Sequence, residues 1–174
     1  MDYIFETEHL RIRKFRIEDT QRLYQNHLEE EVKKWIPNES YADIGETMDA
    51  IRFYMDRVDH GCLPYVLAVE SKETGELIGD TGVNEVEGNA NEVEIGYVIS
   101  EKYSGQGLAT ELVKGMTEFA VSMFGVNGLY GRVMRGNNAS VRVLAKNGYH
   151  FVKEELGAED DPYGKGMLVY AIRM

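Results

Sequence analysis

The chain has 174 residues, 43% of them hydrophobic and 28% charged, the proportions of an ordinary globular chain long enough to bury a substantial core. Thirty acidic against nineteen basic residues leave a net charge of −11; this argues against general nucleic-acid binding, because phosphates would be repelled, and suits a cationic partner as well as plain solubility. No apolar run approaches membrane-spanning length, the start "MDYIFETEHLRIRKF" lacks a signal-peptide layout, and Cys62 is the only cysteine. The expectations are a cytoplasmic protein with no membrane partner, no intrachain disulfide and no cysteine metal cluster.

Residues 9–15, "HLRIRKF", alternate apolar and basic, as a strand with one wet face does. "IEDTQRLYQNHLEEEVKKWI" opens with acidic residues suited to a helix start, and Leu23, His27, Leu28 and Val32 can share a face. After a break around Pro37, Ile44, Met48, Ile51, Met55 and Val58 mark a second helix, closed by Gly61 and Pro64. "PYVLAVES" and "LIGDTGVNEVE" read as a hairpin turning at Thr74-Gly75, and "NEVEIGYVIS" as a further strand antiparallel to it. A long helix follows, with Leu108, Leu112, Met116, Phe119 and Met123 at helical spacing; the spaced methionines are expected in the core. "GLYGRVMRG" is a strand, "NNASVRVLAKNG" a short capped helix, and "YHFVKEE" and "GMLVYAIRM" the last two strands, paired across an acidic loop. No repeat or linker interrupts this order, so residues 1–174 are expected to form one mixed α/β domain around a single sheet.

The strand ending at Ile99 breaks into Ser-Gly-Gln-Gly and restarts at once as a helix. Glycines at such a joint let a ligand approach the backbone, and the N–H groups and dipole of the helix start favour an anion, most often a phosphate. A Walker loop would need Gly-Lys-Ser/Thr where Gly107 is followed by Leu-Ala-Thr; a dinucleotide loop would need a third glycine at position 110, which is Thr. Neither fits, and nucleotide binding is left as a distant reading.

"YVISEKYSGQGLATEL" resembles the acetyl-coenzyme A signature of the GNAT superfamily of N-acetyltransferases, Gln/Arg-x-x-Gly-x-Gly/Ala. Lys102, Gly105 and Gly107 stand at its places, with lysine a departure. "NNASVRVLAKNGYHF" is similar to the Asn-x-x-Ser…Lys-x-Gly-Phe stretch of the ribosomal-protein N-terminal acetyltransferases. Asn137, Ser140, Lys146 and Gly148 match, and Tyr149 replaces phenylalanine. "TEHLRIRKFRIEDTQRL" resembles that subfamily's start. The resemblance implies a mixed, mostly antiparallel sheet flanked by about four helices. It also implies that the strand near Ile99 splays from the strand starting near Leu129.

It further implies that acetyl-CoA lies in this gap. Its pantetheine would pair with the backbone of Tyr97, Val98 and Ile99, and its pyrophosphate would rest, without metal, on the amides of Gly105, Gln106, Gly107, Leu108, Ala109 and Thr110. Asn137 would bond the pantetheine, or else only cap its helix; Asn138 could supply that cap instead. The usual tyrosine acid has Leu144 at its place, and Ser140 takes the subfamily's serine position; a first-turn serine can equally bond local backbone. Glu92 and Glu94 share a strand face, and Glu94, nearer the loop, is the first choice of base, a solvated face being the other reading. Glu159 matches a tail carboxylate of the subfamily, as base or as local negative potential. Trp35, Pro37 and Tyr41 fall where this fold borders the acceptor, packing being the other reading. His9, His27, His60 and His150 lack metal-ligand spacing.

The implied activity is acetyl-CoA-dependent N-acetyl transfer, direct and without metal or covalent enzyme intermediate. The acceptor would be a protein N-terminal amine or a small amine. The alternative is a non-catalytic acyl-CoA-binding or sensing module. A monomer and a homodimer both stay open: the tail "MLVYAIRM" could extend a sheet across a dimer or be an internal strand.

Overall fold

A computed structural model describes residues 3–157 and 166–174. Two strands open the chain, β1 (Tyr3–Glu6) and β2 (Leu10–Arg13), followed by a 3-10 turn at Ile17–Asp19. Helices α1 (Thr20–Asn26), α2 (Glu30–Trp35) and α3 (Ile44–Asp59) come next, then the meander β3 (Tyr65–Ser71), β4 (Leu77–Val86) and β5 (Asn89–Ile99). The second half runs α4 (Leu108–Phe124), β6 (Gly128–Met134), α5 (Asn138–Lys146), β7 (His150–Glu155) and β8 (Met167–Arg173). The eight strands form one sheet in the order β1-β2-β3-β4-β5-β6-β8-β7. Every neighbouring pair is antiparallel except β5 with β6.

Alternation along the strands divides the core. On one face Leu67, Val69, Val93, Ile95, Leu129 and Val133 pack with Leu112, Val113, Met116 and Ala120 of α4 and Leu144 of α5. On the other, Ala68 and Leu77 pack with Phe15, Leu23 of α1 and Ile51 of α3. The i, i+4 spacing of the α4 residues is what lays that helix on the sheet. Met123 departs from the expectation for the spaced methionines: it lies past the edge of the covered surface, 47% exposed.

Two expectations about elements need correcting, and one alternative left open is decided. The alternating run at the start is preceded by an extra edge strand, β1, whose Phe5 stacks on Phe119 of α4 at 5.4 Å between ring centroids. The helix expected across residues 17–36 is broken at His27–Glu29. His27 Nε2 meets Asp80 Oδ2 at 2.6 Å and Asn26 Nδ2 donates to the Leu77 carbonyl at 3.3 Å. Glu29 turns extended, and its carboxylate accepts from Ser100 Oγ and the Glu101 amide. These ties to β4 and the end of β5 outweigh the modest gain of one continued helix. Leu28 is consequently 40% exposed and leaves the face it was expected to share. Finally, the tail strand β8 lies between β6 and β7, paired on both sides, so it is an internal strand and cannot itself extend a sheet across a dimer.

Arg13 fastens the helical layer to the sheet. It is 3% exposed, pairs through both terminal nitrogens with Asp19 at 2.8 and 2.9 Å, and donates Nε to Glu70 at 2.7 Å. Asp19 and Glu70 are themselves buried. Removing the guanidinium would leave two buried carboxylates short of their main partner, Glu70 with only the longer Arg11 contact at 3.4 Å and Asp19 with the Arg16 amide at 2.8 Å. Arg13→Ala is therefore expected to destabilise the fold by about 3–5 kcal/mol, read from the shift of the urea midpoint at constant slope.

Candidate active site

The parallel pairing of β5 and β6 runs only from Glu92, Val93 and Glu94 to Gly128, Leu129 and Tyr130. Beyond Glu94, β5 continues to Ile99 against β4 alone, and β6 continues from Gly131 to Met134 against β8 alone. The strands part, and a cleft of about 750 Å³ opens between them. Its walls are Glu94–Ile99 of β5 and Arg132–Met134 of β6. The first turns of α5 form one side, the loop Ser104–Gly107 with the start of α4 closes one end, and Val32, Trp35, Ile36 and Glu39 close the other.

At the loop end, Gly105 and Gly107 have φ of +72° and +79°. A Cβ at either would meet nothing within 4 Å, so the glycines answer to backbone conformation and not to crowding. Gly107 is the N-cap of α4 and the helix has no side-chain cap, so its first-turn amides face the cleft without one. Leu108, Ala109 and Thr110 line the cleft here. Arg142 and Lys146 of α5 join them, because Asn147 Nδ2 donates to the Thr110 carbonyl at 3.2 Å and draws the two helices together. This end is built for an anion. Gln106 does not line the cleft; it faces a second hollow with His9 and Lys72, and its amide donates to the Lys102 carbonyl at 3.5 Å. Lys102, the departure from the loop pattern, pairs with Glu76 at 3.6 Å.

Glu94 stands at the apex of the fork, the last β5 residue in register with both Asn84 of β4 and Tyr130 of β6. Burial raises its carboxyl above the ordinary value; Arg132, whose Nη1 is 3.5 Å away, pulls it back, while Glu155 and Glu39 add to the rise. Glu92 shares its sheet face but is not brought to the cleft. It is buried against Gly128 and ion-paired with Arg173 of the last strand, and it is not among the groups that raise Glu94.

Asn137 begins α5 and lines the cleft. It is itself the helix cap, its Oδ1 accepting from the Ser140 amide at 3.3 Å, so Asn138 does not take that role; the Nδ2 of Asn137 is not used in the cap. Ser140 Oγ lies 2.5 Å from Tyr97 Oη, and both residues line the cleft. Val98 and Ile99 complete that wall.

At the far end Trp35 reaches across the fork. Its ring would lie 3.7 Å from a Cβ at Gly136, on the turn between β6 and α5, and its Nε1 donates to Glu31 Oε2 at 3.2 Å. Tyr41 is not in the cleft: its hydroxyl is 3.2 Å from that of Tyr54 and its ring abuts His27, so it packs beneath α3. Glu159 lies outside the described residues. Charged cleft residues including Glu31, Glu39, Arg132 and Arg142 had no place in the sequence reading. Arg132 carried a signal, as the one charged side chain in the otherwise uncharged strand "GLYGRVM"; Glu39, in a short irregular segment, carried none. Among the described residues no group of three or more His, Cys, Asp or Glu is placed to hold a metal ion, and no helix is long and apolar enough to cross a membrane.

A family model described as "Acetyltransferase (GNAT) domain" matches residues 9–150. The chain belongs to the GNAT acetyltransferases. Its relatives include the Uncharacterized N-acetyltransferase p20 of Bacillus licheniformis, 29% identical over 94% of this chain and 89% of that protein. Two solved structures of low identity share the fold of this GNAT acetyltransferase. The ribosomal-protein-S5-alanine acetyltransferase of Vibrio fischeri superposes with a TM-score of 0.84 at 16% identity, covering 97% of this chain and 95% of that one. The ribosomal alpha-N-protein acetyltransferase RimL, in complex with coenzyme A, gives 0.82 at 16% identity, covering 99% and 98%. The expected fold, with one mostly antiparallel sheet and splayed strands, is the one observed, with five helices where about four were expected.

The raised Glu94 carboxyl has a consequence for stability in this acetyltransferase. The folded state holds that proton more tightly than the unfolded chain, so stability falls as pH rises from the ordinary glutamate value through the raised one, and the penalty is complete above it. Glu94→Gln, which carries no charge to desolvate, is expected to be at least as stable as the parent at pH 7. Its advantage should vanish below about pH 4, as followed by thermal midpoints of both proteins across that range.

Proposed function

We propose that this GNAT acetyltransferase moves the acetyl group of acetyl-CoA directly to a primary amine. The observation that carries the reading is one continuous cleft that joins an anion-suited glycine loop to a half-buried carboxylate at the apex of two parting strands. The amides of residues 105–110 and the cations Arg142 and Lys146 would take the pyrophosphate and its neighbouring phosphate. The side of β5 from Ile95 to Ile99 that faces β6 has no strand partner among the described residues, which leaves backbone groups of Tyr97, Val98 and Ile99 for the pantetheine arm and one N–H for the thioester oxygen. The unused Nδ2 of Asn137 is a further donor for that arm.

The acceptor enters from the Trp35 end, where Glu31 and Glu39 line the cleft and favour a cation. The ammonium passes one proton to Glu94, directly or through water, and the neutral nitrogen attacks the thioester carbonyl carbon. The carbon–sulfur bond then breaks with its electron pair on sulfur, the nitrogen loses a second proton, and the thiolate gains one. The products are the N-acetyl amine, coenzyme A and one released proton. Ser140, on the cleft wall, serves the departing sulfur. The acceptor is a protein N-terminus or a small amine, and the ribosomal-protein acetyltransferases among the structural neighbours favour the former.

Thermal unfolding with and without acetyl-CoA, followed by thiol release over a panel of N-terminal peptides and small amines, tests this. At one hundred times the dissociation constant, acetyl-CoA should add about 2.7 kcal/mol of stability, and at least one amine should release thiol. A stabilisation without release from any amine would favour a sensing module; no stabilisation would remove the reading. Glu94→Gln should lower kcat by about 10²–10⁴-fold with acetyl-CoA affinity kept. Glu39→Gln should raise KM for a cationic acceptor several-fold, with kcat and acetyl-CoA affinity unchanged; an unchanged KM would remove Glu39 from the acceptor site.

A further inference from the structure

Acyl transfer from a thioester leaves charge on sulfur, and a hydrogen-bond donor held in place against that charge lowers the barrier. Helix α5 offers no phenol for the purpose. Leu144 is fully buried, its side chain pressed against Gly131, where a Cβ would come within 2.8 Å of it. The hydroxyl that remains on α5 is Ser140, which on its own is a poor donor for the task. A first-turn serine rotates freely about its C–O bond, and its usual partner is a nearby backbone carbonyl of its own helix.

Here its partner comes from the opposite wall. Tyr97 of β5 packs its ring against the core under α4 and α5 and brings Oη to 2.5 Å from Ser140 Oγ. The Ser140 backbone is pinned as well, its amide donating to Asn137 Oδ1. Tyr97 Oη also lies 3.5 Å from the Ser140 carbonyl, and of the two hydroxyls the phenol, as the stronger acid, is the one we assign as donor to Ser140 Oγ. That fixes the serine oxygen and leaves its own hydrogen to point away from the phenol. Burial pushes the Tyr97 phenol up to about 12, with the Ser140 bond drawing it down, so it stays protonated and able to donate at any pH at which an amine acetyltransferase would be assayed.

We propose that Tyr97 is a positioning residue for acetyl transfer: its phenol holds the Ser140 hydroxyl so that the serine hydrogen is aimed into the cleft at the departing sulfur. The inference rests on the reading that acetyl-CoA occupies this cleft with its thioester at Ser140. Both hydroxyls begin and end the reaction neutral. Ser140 alone bonds to the sulfur as the carbon–sulfur bond breaks, with Tyr97 holding it from behind, and the proton that the thiolate finally takes is one shed by the amine, delivered through water. The sequence assigned Tyr97 only a backbone contact, and its side chain gives the strand residue a second task.

The test is a double-mutant cycle on kcat at saturating acetyl-CoA. Tyr97→Phe keeps the ring in its packing and removes one oxygen; it should lower kcat by about three- to tenfold, the effect of one neutral hydrogen bond. KM for the amine and the acetyl-CoA thermal shift should stay within about twofold and one degree of the parent, which also checks that the variant is folded. Ser140→Ala should cost at least as much. In the Ser140→Ala background, Tyr97→Phe should cost nothing more, because the phenol acts only through the serine. Multiplying losses, or full activity in Tyr97→Phe, would overturn the inference while leaving acetyl transfer intact. A parent protein that binds acetyl-CoA yet releases no thiol would overturn the functional reading and this inference with it.

Discussion

A parallel neighbour can be reached only through a crossover, and β5 and β6 are the one parallel pair in a sheet otherwise built from antiparallel steps. The crossover is α4, and it must leave from the end of β5. That obligation places an uncapped helix N-terminus beside the strand's last residues, and the two glycines with positive φ supply the sharp turn. The pair is then held for three residues only, since β6 leaves to follow β8. Fork, anion end and apex carboxylate are thus consequences of a single topological step. Had β5 and β6 stayed paired to their ends, the cleft would be a closed sheet with Glu94 on an ordinary face.

Charge then divides the cleft. One end collects the α4 dipole with Arg142 and Lys146, and the other collects Glu31, Glu39 and Glu94 with a single arginine between the fork's arms. On the proposed reading, two substrates of opposite charge would be drawn to opposite ends and meet at the middle, oriented before any close contact forms. Helix and side-chain cations offset the acidic composition at the glycine loop, and the surplus of acid shows at the Trp35 end. Behind that end, His27 is held above its ordinary value: burial pulls it down, but Asp80 outweighs this. The same pair is what interrupts the first helix, so one ion pair both shapes the acceptor end and sets where α2 begins.

What could be read in the sequence was what local chemistry decides. The element order after α3, the glycine turn and the long helix follow from periodicity and from residues within a turn of one another. What escaped depends on distant partners. The break at His27–Glu29 is made by Asp80, Leu77 and Ser100, none of which a helical pattern can reveal. Glu92 and Glu94 are equivalent as spaced carboxylates; Arg173, 81 residues downstream of Glu92, withdraws the first into an ion pair and leaves the second at the fork. Asn137 and Asn138 are equally good caps as residue types, and only the path of the chain out of β6 chose between them. The edge strand β1 is four residues long, too short for alternation to register.

Tyr97 shows why a motif can be complete while the chemistry around it is not yet visible. An aromatic residue in a buried strand reads as core, and most of Tyr97 is core: its ring packs with the apolar cluster beneath α4. Only its last atom is polar, and the place of that atom is set by the distance between β5 and α5, a quantity that no spacing along the chain encodes. A transferase needs a hydroxyl at one point in space and does not need it from one position in a helix. With Leu144 filling the helical position and Gly131 too close to admit anything more, the opposite wall of the cleft is the direction from which a phenol can arrive. The strand that carries it is held by β4 on one side and parted from β6 on the other, so the residue lining the substrate gap is also the one able to reach across it.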